Sequence, residues 1–182
     1  APMVRLARLP AGLQPWAKAR LVPKVLLATQ TRVLEAVVDE PGAWLPAVPV
    51  ITIVPRRKSD LWRLGAALLS PAASMWAAMH HGSAGLSTGS IKLSAKETMQ
   101  IPLPRVGTAW KRATDLLRRQ ASAPQPGNWA RFGLLMNAAY GLEEGSDEVL
   151  EWWLARIEGP TERKLSQSRG SRGRLALSRS DA

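Results

Sequence analysis

Short basic and polar segments carry the residue types that recognise nucleic acids. Gln and Arg side chains can hydrogen-bond to the edges of adenine and guanine, whereas Lys and Ser mostly contact phosphate. One such segment is 29–32, and a second, 92–96, follows a loop of small residues. The candidate DNA-contacting residues are Lys24, Thr29, Gln30, Thr31, Arg32, Arg56, Arg57, Lys92, Ser94 and Lys96. The alternative interpretation of the same residues is a solvated basic face.

The sequence lacks the motifs that identify most cofactor-dependent enzymes. Gly82, Gly85 and Gly89 lie in a loop with no following Gly-Lys-Ser/Thr, and no Gly-x-Gly-x-x-Gly turn follows a strand. Pro-Pro never occurs, which removes the Asn/Asp-Pro-Pro-Tyr type of loop that amino-methylating enzymes use. His80 and His81 are adjacent, so on a helix they do not face one ligand together, and capping a helix end is the simpler interpretation. We therefore assign no catalytic residue and no metal ligand.

The chain is strongly basic. Its 182 residues include 25 Lys and Arg against 14 Asp and Glu, which gives a formal net charge of +11. Clustered cations bind polyanions by releasing counterions from the phosphates, so nucleic acid is the expected partner, before an anionic membrane. The absence of cysteine excludes a disulfide scaffold, a zinc-cysteine site and a thiol nucleophile.

One stretch without charged residues, 65–91, needs to be tested as a membrane span. Pro71 interrupts it, and the polar residues from His80 onward end its apolar part. What remains is shorter than the ~20 residues that cross a bilayer. We expect a soluble, cytoplasmic protein without a membrane partner.

The first half of the chain predicts β-strands. Segments 24–31 and 32–39 are rich in Val, Leu and Thr, and 48–54 is mostly β-branched. Pro49 cannot donate to a ladder, so it belongs at the start of its strand or on an edge. Segment 91–104 predicts a short strand, a turn or single helical turn, and a second strand whose Ile101 and Leu103 face inward.

Helical spacing of apolar residues dominates the rest of the chain. Most of the eight tryptophans follow this spacing and predict core packing, which leaves an exposed Trp16 or Trp44 as the candidate for base stacking. One helix should end at Ser70 and the next should begin with Pro71, because the residue before a proline disfavours the α region. The predicted helices are 61–70, 71–79, one that begins at Thr108, 129–140 and 147–157.

A longer stretch resembles a known family. Residues 61–104 read LWRLGAALLSPAASMWAAMHHGSAGLSTGSIKLSAKETMQIPLP, a helix with a Leu-Leu-Ser-Pro end, a loop, a Lys-x-Ser strand and an Ile-Pro-Leu-Pro block. It resembles the target recognition regions of N-6 adenine DNA methylases, of the actinobacterial type, and of type I restriction specificity subunits. The upstream PKVLLATQTRVLEAVVDEPGAWLPAVPVITIVP and the later TAWKRATDLL and VLEWWLARI are also similar to such regions, so the resemblance covers about residues 22–158.

The resemblance implies sequence-specific binding of duplex DNA on behalf of a methyltransferase. The family's catalytic half has no counterpart in this sequence, so S-adenosylmethionine is expected on a catalytic module in cis or in trans and not on this chain. The implied fold is α+β, with a mixed β-sheet in a target recognition domain. The expected organisation is a basic N-terminal segment 1–21, the α+β domain 22–107, a helical segment 108–158 and a disordered basic tail 159–182.

Other functions fit parts of the same pattern. A non-specific nucleic-acid-binding protein would share the positive charge without preferring a sequence. A compact enzyme with a site built from scattered residues, or a helical interaction module with a basic tail that gives solubility, would need no DNA contact.

Overall fold

The computed structural model describes residues 6–82, 89–125 and 127–157. Most of the predicted loop 82–90 and the whole predicted disordered tail 159–182 lie outside the described residues. Short 3-10 helices occupy Leu6–Arg8 and Lys58–Asp60. The strands are β1 (Lys24–Ala28), β2 (Gln30–Thr31), β3 (Ala36–Asp39), β4 (Val50–Ile53) and β5 (Ile91–Lys92). The α-helices are α1 (Leu13–Lys18), α2 (Leu61–Leu68), α3 (Pro71–His81), α4 (Ala95–Thr98), α5 (Thr108–Ser122), α6 (Asn128–Tyr140) and α7 (Ser146–Ile157).

Two small antiparallel sheets sit beside the helices. The larger has the strand order β3-β1-β4, and Leu26 lies opposite Val37 on one side and Thr52 on the other. The smaller pairs β2 with β5. This arrangement confirms the α+β class. Every strand pairing in the described residues is antiparallel, so the prediction of a mixed sheet is wrong.

Helix α2 lies close against the larger sheet. Val25 and Leu27 are two residues apart on β1, so their side chains point to the same face of the sheet. Both are fully buried. They pack with Leu61 of α2 in one hydrophobic cluster. Gly65 permits the short distance, since a Cβ atom at this position would lie 2.5 Å from Cγ2 of Val38 on β3.

The helices enclose a second hydrophobic cluster between α2, α5, α6 and α7, with Phe132, Met136 and Trp153 at its centre. Tyr140 packs against both clusters. Its hydroxyl donates to the carbonyl of Pro102 at 2.9 Å, and burial raises the pKa of Tyr140 to about 12. The two clusters are therefore joined through the end of α6.

The predicted boundary between α2 and α3 is confirmed. Ser70 is extended, its Oγ accepts the Ala73 N–H at 3.1 Å, and Pro71 occupies the first turn of α3. Proline suits this position because the first-turn N–H groups have no partner within the helix. The later helices α6 and α7 also start and end within a residue of their predicted bounds.

The segment after α4 differs from its prediction, because residues 101–104 form no strand. Pro102 and Pro104 have no N–H to donate, so a ladder cannot run through them. Ile101 is buried as predicted, but Leu103 is 57% exposed. The segment is held instead by the Tyr140 hydroxyl and, one residue beyond it, by a hydrogen bond from the Arg105 N–H to the carbonyl of Ala139.

Within the described part of the chain, no helix combines the length and the apolar character needed to cross a membrane.

Candidate nucleic-acid interface

Two polar segments that are far apart in the sequence meet in one β-ribbon. Strands β2 and β5 pair with Gln30 opposite Lys92 and Thr31 opposite Ile91. The Leu93 N–H then donates to the carbonyl of Thr29 at 2.9 Å, which extends the pairing. We call residues 29–32 and 91–96 the β2–β5 ribbon. The fold thus brings together seven of the ten predicted contact residues: Thr29, Gln30, Thr31, Arg32, Lys92, Ser94 and Lys96.

The ribbon has one polar face and one anchored face. Gln30, Arg32 and Lys92 are exposed, whereas Ile91 and Leu93 are buried. Along β5 and the residue after it, this alternation is the period of two that a strand imposes, because neighbouring residues point to opposite sides. Ile91 joins the cluster beneath the larger sheet, and β5 also contacts α3. The polar face is therefore presented to solvent from a fixed support.

Two threonines of the ribbon donate their hydroxyl protons to backbone carbonyls of the protein. Thr29 Oγ1 donates to the carbonyl of Pro49 at 3.2 Å, and Thr31 Oγ1 donates to the carbonyl of Val33. Each hydroxyl can still accept a hydrogen bond but has no donor left for a phosphate. Their first role is to fix the backbone on either side of Gln30.

Ser94 is the N-cap of α4, and its partner is Glu97, a residue that was not among the predicted contacts. Ser94 Oγ accepts the Glu97 N–H at 3.3 Å, and Glu97 Oε2 accepts the Ser94 N–H at 2.6 Å, which forms a capping box. The backbone hydrogen bond from Ser94 lowers the pKa of Glu97, with smaller contributions from the charges of His81 and Lys92. The Ser-x-x-Glu spacing is a sequence signal that could have identified this contact.

The ribbon keeps four side chains available for a ligand: Gln30, Arg32, Lys92 and Lys96. All four are exposed, and within the described residues none of them makes a side-chain hydrogen bond or an ion pair. They supply one amide, one guanidinium and two ammonium groups. Glu97 is a carboxylate close to Lys92. The four side chains themselves carry three positive charges and no negative charge.

Lys24 does not belong to the interface, and its assignment as a DNA contact is corrected. Its side chain is 0% exposed and Nζ lies 2.6 Å from Oδ2 of Asp39, the residue opposite it on β3. Nζ also donates to the carbonyl of Val22 at 3.1 Å. A buried ammonium that is already paired cannot reach a phosphate without opening the sheet.

Arg56 and Arg57 are exposed but lie away from the ribbon. They follow Ile53, which is opposite Val25, so they leave the larger sheet at the end where β1 begins. The ribbon follows the other end of β1, at Ala28. At about 3.3 Å per residue, the five residues of β1 separate the two groups by roughly 16 Å.

The two tryptophans considered for base stacking are both exposed. Trp16 is 47% and Trp44 is 51% exposed. The guanidinium of Arg20 lies 4.3 Å from the ring centre of Trp16, so one face of this indole already carries a cation–π contact. Both residues lie outside the ribbon.

The described residues contain no group of three His, Asp or Glu side chains arranged to hold a metal ion.

Comparison of the chain with protein-family models, with curated proteins and with solved structures finds no match.

Proposed function

We propose that this chain binds duplex DNA and selects the target sequence for an N-6 adenine-specific DNA methyltransferase of a restriction-modification or related defence system. The observation that carries the proposal is the pairing of Gln30 with Lys92, which joins two distant polar segments on one exposed ribbon. The family resemblance of residues 22–158 supports the same conclusion.

The ribbon consists of two antiparallel strands, a shape that duplex DNA can accommodate. The major groove admits a two-stranded β-ribbon, and within it each base pair shows a distinct pattern of donors and acceptors. Gln30 is the residue type that makes paired hydrogen bonds to N6 and N7 of adenine, and Arg32 is the type that binds O6 and N7 of guanine. Gln30 on β2 and Arg32 directly after it are both exposed. We assign base reading to these two side chains.

Lys92 and Lys96 have a different role in this proposal. An ammonium on a flexible stem binds phosphate as a point charge and carries little sequence information. Glu97 repels phosphate at the same end of the ribbon. The lysines therefore hold the ribbon on the DNA backbone, while the carboxylate limits how strongly any sequence is bound.

The methyl transfer belongs to another module. The isolated chain is expected neither to bind S-adenosylmethionine nor to methylate DNA, because it lacks the cofactor glycines and the catalytic loop of the family. Transfer of labelled methyl groups by the purified chain would refute this. We also propose that the protein is cytoplasmic, as expected from the sequence.

The test is selection from a random-sequence DNA pool at several salt concentrations, first with the parent chain and then with Gln30→Ala. The parent should enrich one sequence. Gln30→Ala should lose about 1–3 kcal/mol of discrimination at one base pair, which is the contribution of a well-formed paired contact. Gln100→Ala is the matched control, because Gln100 is an exposed glutamine outside the ribbon.

Other results would select a rival function. Binding with a steep salt dependence but no enriched sequence would favour a non-specific nucleic-acid-binding protein. A parent chain that does not bind DNA at low salt would remove the proposal altogether. Equal losses from Gln30→Ala and Gln100→Ala would show that the ribbon is not the base-reading surface.

A further inference from the structure

An arginine-lined groove lies between α5 and α6, on elements that the ribbon does not include. Its volume is about 570 Å³, and its polar lining includes Asp115, Arg118, Arg119, Ser122, Asn128 and Arg131. A smaller adjoining recess of about 160 Å³ shares Asp115, Arg119 and Arg131 and adds Arg112. We call the two together the α5–α6 groove.

Helical spacing accounts for the lining. On α5, Arg112, Asp115 and Arg119 are separated by three and four residues and therefore form one stripe. On α6, Asn128 and Arg131 are three residues apart and face this stripe. The apolar side of α5 is turned away into the core through Trp110, Ala113 and Leu117.

The positive charge of the groove is only partly neutralised. Arg118 is bound to Glu40 at 2.7 Å, and Asp115 is bound to Lys111 at 2.9 Å. Arg112, Arg119 and Arg131 are exposed, and they make no side-chain hydrogen bond or ion pair within the described residues.

Asp115 does not change this balance. The hydrogen bond from Lys111 lowers the pKa of Asp115, and the charges of Arg119 and Arg118 lower it further. The carboxylate is thus fully ionised at neutral pH, and the groove still has an excess of cations. Guanidinium groups held near each other repel, and an anion between them removes that repulsion.

The shape of the groove is fixed by a buried glutamine. Gln120 Oε1 accepts the Gln125 N–H at 3.0 Å and the Asn128 side-chain N–H at 2.8 Å. Its Nε2 donates to the carbonyl of Gln125 at 3.3 Å. These bonds tie the last turns of α5 to Gln125 and to the start of α6, the two helices that carry Arg119 and Arg131.

We propose that the α5–α6 groove binds phosphates of the DNA backbone, as a second contact that is independent of sequence and separate from the base-reading ribbon. The inference rests on the proposed function, since it takes the same duplex as ligand. Planar guanidinium groups match phosphate oxygens through paired hydrogen bonds, and the first turn of α6, which borders the groove at Asn128, adds a favourable partial charge. The groove and the ribbon then divide the work between affinity and selectivity.

The experiment compares Arg119→Ala/Arg131→Ala with Arg8→Ala/Lys18→Ala, a control pair that removes the same charge from exposed positions near the N-terminus. Each protein is titrated with a duplex of the enriched sequence and with a scrambled duplex, at several salt concentrations. The groove variant should lose affinity for both duplexes by the same factor, and its log–log salt slope should fall by about two. The control should keep the parent's slope.

The possible failures can be told apart. If the groove variant binds both duplexes like the control while Gln30→Ala still loses discrimination, the groove inference is wrong and the proposed function stands. If the groove variant loses affinity but Gln30→Ala changes nothing, the groove is a phosphate site and the sequence-reading function is wrong. A parent chain that does not bind DNA overturns both. Thermal unfolding of each variant, with Arg119→Gln/Arg131→Gln as a replacement pair, excludes loss of the fold as the cause.

Discussion

The larger sheet and the β2–β5 ribbon each hold one lysine in a strand, and the two lysines have opposite surroundings. Lys24 on β1 is completely buried against Asp39, and Lys92 on β5 is exposed opposite Gln30. The difference comes from the cross-strand neighbour, since a carboxylate permits burial of the ammonium and an amide does not. One lysine is used to build the sheet, and the other remains available to a ligand.

The buried pair organises the turn that follows β3. Oδ1 of Asp39 accepts the Ala43 N–H, and Oδ2 accepts the Trp44 N–H, each at 3.0 Å. Lys24 supplies the positive charge that makes this buried carboxylate tolerable. The turn also brings Glu40 to Arg118, which ties α5 to the edge of the sheet. Removal of Lys24 should therefore disturb much more than one contact.

The largest effect is expected for Lys24→Ala. Leaving Asp39 buried without its counter-ion should lower the free energy of unfolding by about 3–5 kcal/mol, whereas Lys92→Ala should change it by less than about 0.5 kcal/mol. Denaturant titration of both variants measures the difference. Lys24→Met/Asp39→Leu should cost less than Lys24→Ala, because no charge is left unpaired. Equal stability of the two lysine variants would mean that Lys24 is not buried.

A second large difference is expected within segment 101–104. Ile101→Ala should lower the free energy of unfolding by about 2–5 kcal/mol, because it leaves a cavity in the cluster beneath the larger sheet. Leu103→Ala removes a similar volume from an exposed side chain and should cost less than about 0.5 kcal/mol. The two titrations are done under the same conditions. A comparable loss in Leu103→Ala would restore the original prediction that both side chains face inward.

Local patterns were sufficient to predict most of the helices. Apolar residues at spacings of three and four locate α5, α6 and α7, and the Ser70-Pro71 step marks the start of α3. These signals are contained in a few consecutive residues, because a helix makes its backbone hydrogen bonds within itself. The alternation of Ile101 and Leu103 predicted a strand at 101–104. This prediction was wrong because the two prolines cannot donate to a ladder.

The candidate site could be predicted only in part. The residue types of the ribbon identify possible DNA contacts, but nothing in either segment says that Gln30 pairs with Lys92. The burial of Lys24 depends on its ion pair with Asp39. That pair could be predicted only from the register of β1 and β3. Strand partners are set by tertiary packing, so the sequence could not separate the buried lysine from the exposed one.

A smaller effect on stability is expected at acid pH, and it tests the buried Lys24–Asp39 pair of the larger sheet. Burial would raise the pKa of Asp39, but the hydrogen bonds from Lys24 and from the Trp44 and Ala43 N–H groups outweigh it, so this pKa is lowered from 3.8. A lowered folded-state pKa stabilises the fold above the unfolded value, and the contribution is lost as the pH falls through the folded value. The parent should therefore lose stability below about pH 4 more steeply than Lys24→Met/Asp39→Leu does. Identical acid profiles in denaturant titrations would remove this role of Asp39.

The smallest change in stability, and the most informative for function, is expected for Lys92→Ala. The side chain is exposed and unpaired within the described residues, so its loss should leave the denaturation midpoint almost unchanged. If Lys92 contacts a phosphate, DNA affinity should fall for every sequence and the log–log salt slope should decrease by about one. Lys18→Ala, another exposed lysine, is the control and should keep the parent's slope. The measurement is DNA affinity against salt for the three proteins. Identical curves would show that Lys92 is only a solvated charge. The proposed contact of Lys92 with the DNA backbone would then be wrong, although the described fold would stand.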